Sequence, residues 1–208
     1  MRKLKHLELN PIFGNAYSFI VKNNKGTNNS YHNNGHLYNV FMDVIDMCKH
    51  YNINGTKIIS MGLAALFHDF DHNGTIGQDN INIDNSIKGF YKWYSTLNQN
   101  DIMYINTDLV EKMIKTTEFP TRPNPQTMEE MIMMDADMFS LYKENWVETV
   151  IIGLSKEFNV TIEKQIDNQI KFVNNLKFFT NYCNEYHDKF KNDMLNELTV
   201  LKSIFNNI

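Results

Sequence analysis

Helix-breaking residues are scarce in this chain, and apolar residues recur at helical spacing along most of it. Glycine and proline account for only 9 and 4 of the 208 residues, fewer than the turns of a β-sandwich or β-barrel require. Val40, Val44 and Met47 follow one another at intervals of four and three residues, which places them on one face of a helix. No segment has the alternating pattern of a convincing strand. The sequence therefore predicts an all-α fold.

Composition narrows the classes of protein to which the chain can belong. Hydrophobic residues make up 42% and charged residues 21% of the sequence, so a sizeable core is expected and wholesale disorder is not. We predict a single domain over residues 1–208. The formal net charge of -4 argues against a generally basic nucleic-acid binder. Cys48 and Cys183 are far apart in the sequence and are expected to be reduced thiols packed as small hydrophobic groups.

The sequence shows neither a membrane span nor a secretory signal. No stretch approaches the roughly 18 uninterrupted apolar residues of a spanning helix, and no apolar run follows the basic residues near the N-terminus. We therefore expect a cytoplasmic protein without a membrane partner and without a stable nucleic-acid complex. The apolar C-terminal helices could support a homodimer.

The predicted helices are joined by short polar or proline-containing segments. The run 61–67 is apolar nearly all round, which is typical of a central, buried helix. Loops are expected over 21–30 and 73–82. Helices are expected around 40–48, from Gly55 or Thr56 through 67, over 84–96 with Asp84 as the cap, over 107–117 and 126–142, and as two or three amphipathic helices over 146–208.

Two pairs of histidines dominate the candidate functional residues. His32 and His36 form the first pair, and His68 and His72 form the second. The members of each pair are four residues apart, so on a helix both rings would lie on one side. Asp69 follows His68 directly after the most apolar helix of the chain. An ionised carboxylate beside an imidazole at the end of a buried helix is costly unless it is paired or binds a metal.

A third source of carboxylates lies in the methionine-rich helix predicted over 126–142. Asp135 and Asp137 interrupt an otherwise apolar stretch there, and they need the same explanation as Asp69. Imidazole nitrogens and carboxylate oxygens together suit a borderline or hard divalent ion. The sequence therefore predicts a metal site within residues 31–142, followed by C-terminal helices over 143–208. Either Asp135 or Asp137 could be the last ligand.

This order of residues resembles the HD superfamily of metal-dependent phosphohydrolases, and within it the cyclic-nucleotide phosphodiesterase type. Tyr31-His32-Asn33-x-x-His36 looks like the opening motif of that type. His68-Asp69-x-Asp71-His72-x-Gly74 looks like its second motif, and Ala136-Asp137-Met138 is similar to its later Ala-Asp-Leu segment. The resemblance implies a compact HD-domain, phosphodiesterase-like helical bundle, and its register favours Asp137 over Asp135.

The resemblance also implies a role for each residue of the metal site. Four residues would bind the tighter metal: His36, His68, Asp69 and Asp137. Asp69 would in addition reach a second divalent ion whose shell is completed by waters. The imidazole and carboxylate ligands leave the metal open among Zn, Mn, Fe, Co, Ni and Mg.

The remaining implied roles concern catalysis and substrate binding. His32 would be the proton donor to the leaving oxygen, and His72 would contact the phosphate or the waters of the second metal. A metal-activated hydroxide would be the nucleophile, a mechanism that is chemically sensible for two divalent ions. Tyr31, beside the proposed acid, is a candidate substrate contact. Arg122 is another candidate, since arginine binds phosphate through bidentate hydrogen bonds.

The substrate stays open because the chain is shorter than phosphodiesterase catalytic domains. In those domains a glutamine from the C-terminal half grips the nucleobase, and here Gln165 and Gln169 are candidates by position only. The favoured prediction is a phosphodiesterase acting on a cyclic nucleotide or cyclic oligonucleotide as its small-molecule partner. An HD-type nucleotidase or dNTP hydrolase is the alternative, and a catalytically silent nucleotide-binding module is a third possibility.

Overall fold

The computed structural model describes residues 10–120 and 123–205. Within these ranges the chain is 73% helical and has no strand, which confirms the prediction of an all-α bundle. The helices are α1 (Pro11–Asn23), α2 (Asn34–His50), α3 (Gly55–Phe67), α4 (Asp79–Tyr94), α5 (Gln99–Ile102), α6 (Thr107–Lys115), α7 (Met128–Met138), α8 (Leu154–Glu157), α9 (Ile162–Asn175) and α10 (Asn181–Phe205). Short 3-10 helices follow α1 and α7, and the π-helix Val147–Gly153 runs directly into α8.

Helix α3 is the centre of the larger hydrophobic core. It packs against α1, α2 and α6, and all residues from Ser60 to Phe67 are buried. This confirms the expectation of a central buried helix, which the apolar run 61–67 indicated. The start of α3 at Gly55 also agrees with the sequence, because Asn54 and Gly55 form the turn before it; Gly55 has a φ of 60°.

A second, smaller core lies among the C-terminal helices. Trp146, Val150, Ile166, Met194 and Leu198 are buried together there, and α9 packs against α10. The expected two or three helices after Trp146 are thus a π-helix and three α-helices. The single-domain assignment over 1–208 stays a prediction.

Helix α4 begins earlier than the sequence indicated. Asp84 was expected to cap it, but α4 already starts at Asp79 and ends at Tyr94. The polar side chains of its first turn are bound by distant backbone: Asn82 accepts a hydrogen bond from the amide of Asn73 (3.0 Å), and Asp79 accepts one from the amide of Phe119. These tertiary contacts stabilise a polar helix start that local pattern does not reveal.

Two other element boundaries also differ from the predicted ones. The loop expected over 21–30 contains the end of α1 and the 3-10 helix Lys25–Asn28. The helix expected over 126–142 is α-helical only to Met138, and the 3-10 helix Phe139–Tyr142 completes it. The start of α7 follows local rules, since Thr127 and Glu130 form a reciprocal capping box.

Helix α4 supports the turn that follows α3, which carries the second histidine pair. The hydroxyl of Ser86 donates a hydrogen bond to the backbone carbonyl of His68 (2.6 Å). Gly89 lies directly under Phe70, where a Cβ atom would sit only 2.2 Å from the ring. The absence of a side chain at Gly89 lets α4 press against this turn.

Among the described residues, no helix is both long enough and apolar enough to cross a membrane.

Candidate metal centre

Four side chains from the ends of three helices meet at one buried point, here called the His36 cluster: His36, His68, Asp69 and Asp137. One ligand atom from each lies within 4.8 Å of all the others. His36 and His68 are 6% and 1% exposed, respectively. These are the four residues that the sequence predicted as metal ligands, and the structure brings them together.

Helix ends place these side chains. Asn33 caps α2 by accepting hydrogen bonds from the amides of Gly35 (2.8 Å) and His36 (3.4 Å), which puts His36 in the first turn. His68 lies immediately after the last residue of α3, and Asp69 follows it. Asp137 lies in the last turn of α7. The cluster therefore depends on how α2, α3 and α7 are packed, not on any one helix.

The distances within the His36 cluster fit a single small cation. The Nε2 atom of His36 is 3.3 Å from Nε2 of His68, 3.2 Å from Oδ2 of Asp69 and 3.6 Å from Oδ1 of Asp137. The Nε2 atom of His68 is 3.1 Å from Asp69 and 3.4 Å from Asp137. Four ligands at about 2.0–2.2 Å from a tetrahedral ion are about 3.3–3.6 Å apart. The donor set thus has the size and chemistry of a divalent metal site.

Hydrogen bonding further orients His68 toward the centre. Its Nδ1 atom lies 2.9 Å from the backbone carbonyl of Ala65. A carbonyl can only accept, so Nδ1 donates this hydrogen bond and Nε2 is the ring nitrogen that faces the cluster and would bind a metal. Burial by itself would lower the pKa of His68, but the hydrogen bonds and charges of Asp69 and Asp137 together raise it well above its usual range.

A second group lies beside the first and is called the Glu157 cluster: His32, His72 and Glu157. Their ligand atoms are also mutually within 4.8 Å, so this group too could hold a metal ion. The rings of His32 and His72 stack with centroids 3.9 Å apart, and the rings of His32 and His36 are 5.7 Å apart. The two clusters are therefore direct neighbours.

Each histidine pair contributes one histidine to each cluster. On a helix the two rings of a pair would lie on one side, but neither pair lies within one helix. His32 precedes the cap of α2, and His72 lies beyond the end of α3 after Asp71, whose φ is 58°. His72 directly follows the left-handed backbone of Asp71, and its ring stacks on His32.

Glu157 is the residue that sequence reasoning missed. Its Oε1 atom lies 2.5 Å from Nδ1 of His32, and Oε2 accepts hydrogen bonds from the amides of Tyr31 (2.7 Å) and His32 (3.0 Å). Burial alone would raise its pKa, but the hydrogen bond and charge of His32 and the two amides lower it. It ends α8, 125 residues after His32, and no local sequence pattern marks it.

His72 is held in the neutral form by its surroundings. Burial, reinforced by the nearby His32, lowers the pKa of His72 to about 4. The amide of Gly74 donates a hydrogen bond to its Nδ1 atom (3.1 Å). Since Nδ1 accepts there, the proton of the neutral ring is on Nε2. His72 is thus a hydrogen-bond donor at neutral pH.

A glycine lets Glu157 approach the first histidine motif. Gly153 ends the π-helix before α8, and a Cβ atom there would lie 3.0 Å from the carbonyl oxygen of Ser30. This close approach brings the start of α8 against the segment that carries Tyr31 and His32. Gly153 therefore positions Glu157 without itself touching the cluster.

If the chain has the phosphodiesterase activity that the resemblance implies, Gly153→Ala should lower turnover of a phosphodiester by roughly 10- to 100-fold, because small misplacements of catalytic groups have effects of this size. Metal content should be unchanged, since the His36 cluster does not involve this segment. Turnover and elemental analysis would be measured together. Glu148→Ala, an exposed side chain on the same π-helix, is the matched control. Unaltered turnover of Gly153→Ala would show that this contact does not position Glu157.

The carboxylates beside the predicted ligands have structural partners. Asp135 accepts hydrogen bonds from the amides of Phe179 (3.0 Å) and Thr180 (2.8 Å) and from the Thr180 hydroxyl (2.6 Å), so it holds the start of α10. Asp71 accepts one from the amide of Lys25 (2.6 Å). Of the two aspartates on α7, only Asp137 belongs to the His36 cluster.

The other predicted site residues are placed as follows. The Tyr31 ring lies against His36, with centroids 4.7 Å apart, and its hydroxyl is 2.8 Å from that of Ser140. Arg122 lies outside the described residues. Gln165 donates a hydrogen bond to the carbonyl of Val150 (3.5 Å), whereas the buried side-chain nitrogen of Gln169 has no hydrogen-bond partner among the described residues.

Comparison with known proteins leaves the family open. No family model matches the chain, and no curated protein matches it. The helical fold and the His36 cluster are compatible with an HD-type fold. The resemblance rests on these residues and their geometry.

Proposed function

We propose that this protein is a divalent-metal-dependent phosphohydrolase that cleaves a phosphodiester bond in a cyclic nucleotide or cyclic oligonucleotide. The observation that carries the proposal is the adjacency of two different clusters. One offers two imidazoles and two carboxylates at metal-ligand spacing, and the other pairs an imidazole with a buried carboxylate. Metal-assisted ester hydrolysis with proton transfer needs both.

The His36 cluster would hold the metal. A divalent ion there would supply Lewis acidity, neutralising phosphoryl charge and activating water as the nucleophile. Its two nitrogen and two oxygen donors admit Zn, Mn, Fe, Co, Ni and Mg. A second ion sharing Asp69 stays a prediction.

The Glu157 cluster would supply the proton. The carboxylate of Glu157 takes the Nδ1 proton of His32 in a hydrogen bond, which leaves Nε2 as the atom that can give a proton to the leaving oxygen. This is the logic by which a carboxylate orients a catalytic imidazole in hydrolases. His72 is neutral at pH 7 and would donate a hydrogen bond from its Nε2–H group to a phosphoryl oxygen.

The residue that would recognise the nucleobase stays unassigned. Gln165 donates to the carbonyl of Val150, and Gln169 lies on the buried side of α9 that also carries Ile166 and Val173. The proposed small-molecule partner is a nucleotide, because the proposed reaction cleaves its phosphodiester bond. The homodimer through the C-terminal helices stays a prediction.

A product assay tests the proposal. The metal-loaded protein would be incubated with cyclic mononucleotides, cyclic dinucleotides, nucleoside monophosphates and dNTPs, and the products separated by chromatography. We expect linear phosphomonoesters from the cyclic substrates. Release of inorganic phosphate or triphosphate would instead support the nucleotidase or dNTP hydrolase alternative. Binding without turnover of any substrate would indicate a silent nucleotide-binding module.

A further inference from the structure

A cavity of about 570 Å³ opens beside the last turn of α7. Met138, the residue after the predicted ligand Asp137, lines it, as do Phe119 and Phe179. The amide of Phe119 is bound by Asp79, and the amide of Phe179 is bound by Asp135. The cavity is therefore held in place from two sides, by α4 through Asp79 and by α7, the helix that carries Asp137 of the His36 cluster, through Asp135. Its volume is in the range of small-molecule binding sites.

One face of α9 forms a wall of this cavity. Asn168, Lys171, Phe172 and Asn175 line it at intervals of three, one and three residues, which is one side of a helix. The opposite side of α9, with Ile166 and Val173, is buried in the second core. The orientation of α9 is thus set by its apolar side, and its polar and aromatic side is presented to the cavity.

The charged side chains described in the cavity lining are all basic. Among the residues that the structure describes, Lys171 and Lys177 are the only charged side chains that line it. Asp167 on the same helix is in an ion pair with Lys202 (2.6 Å). In a chain with a formal net charge of -4, a cavity whose described lining carries two cations favours a negatively charged ligand.

We propose that this cavity binds a second phosphate and its base, so that the preferred substrate is a dinucleotide rather than a cyclic mononucleotide. The inference rests on the proposed function, because the scissile phosphate is assigned to the two clusters. Lys171 and Lys177 would contact the second phosphate. The rings of Phe119 and Phe172, whose centroids are 6.5 Å apart, offer aromatic surface for its base.

Equilibrium binding tests this without requiring turnover. Phosphorothioate analogues of cyclic di-AMP and of cAMP, which resist hydrolysis, would be titrated into the metal-loaded protein by calorimetry. We expect the dinucleotide analogue to bind at least about 10-fold more tightly. The double variant Lys171→Gln/Lys177→Gln should weaken the dinucleotide by about 10- to 100-fold, the usual effect of losing charge-assisted contacts, and leave the mononucleotide within about twofold.

Controls separate this inference from the proposed function. Lys88→Gln/Lys92→Gln removes two exposed lysines of α4 that do not line the cavity, and both affinities should be unchanged. Linear pApA, tested alongside, distinguishes a linear from a cyclic dinucleotide. The inference would be overturned if the Lys171→Gln/Lys177→Gln variant lost affinity equally for both analogues or lost none. It would also be overturned if the wild-type protein showed no preference for the dinucleotide analogue. Bis(p-nitrophenyl) phosphate has no base and no second phosphate, so failure to hydrolyse it bears on the proposed function alone.

Discussion

Replacing Asp69 with alanine is expected to abolish metal binding and the proposed phosphodiesterase activity together. Its carboxylate lies 3.2 Å from Nε2 of His36 and 3.1 Å from Nε2 of His68, so its loss leaves two buried imidazoles with one carboxylate. The proposed second ion would lose the same ligand. We expect turnover to fall by more than about 1,000-fold, since both charge neutralisation and water activation are lost. Elemental analysis and turnover of a phosphodiester would be measured on the same preparation.

Asp71→Asn is the matched control for this experiment. Asp71 is two residues away, but its carboxylate binds the amide of Lys25 and is outside the His36 cluster. Asparagine tolerates the left-handed φ of 58° at this position. The control should keep its metal. An Asp69→Ala protein with a full complement of metal and normal turnover would contradict the assignment of the His36 cluster as the metal site.

Replacing His32 with alanine is expected to slow the reaction by roughly 100- to 10,000-fold while the metal content stays unchanged. This is the usual contribution of positioned proton transfer. His32 belongs to the Glu157 cluster, and its Nδ1 atom is held by Glu157 at 2.5 Å. A general acid matters less when the leaving group needs no proton. The loss should therefore shrink for a p-nitrophenyl ester compared with a natural nucleotide.

Comparison of metal content and of the two substrate types decides the role of His32. If His32 were a metal ligand, the variant would lose metal and both substrates would be affected equally. Normal turnover of a cyclic nucleotide would remove His32 from the mechanism. His50→Ala, an exposed histidine at the end of α2, is the control for a general effect of losing an imidazole.

Local sequence patterns were sufficient to predict most helices and a set of candidate ligands in which Asp135 and Asp137 were still alternatives. The apolar run 61–67 identified α3 as the buried centre, because a helix without a polar face has no stable position at the surface. The position of His68 and Asp69 at the end of this buried helix indicated a functional site, since a carboxylate there requires a partner or a metal. Scarcity of glycine and proline excluded a turn-rich β fold. These inferences depend on chemistry within one helix or its immediate ends, which a sequence displays directly.

Contacts between distant segments decided the features that local patterns did not predict. The start of α4 at Asp79 depends on hydrogen bonds to Asn73 and Phe119, and the distinction between Asp135 and Asp137 depends on the amides of Phe179 and Thr180.

The Glu157 cluster shows most clearly what the sequence alone did not predict. The sequence by itself determined an all-α chain with four candidate ligands. Tertiary structure alone stacked His32 on His72 and brought Glu157 to them across 125 residues. The physical reason is that the chemistry of a helix end is local, whereas hydrogen bonds between distant segments depend on how the helices pack. Short-range periodicity in the sequence does not determine that packing.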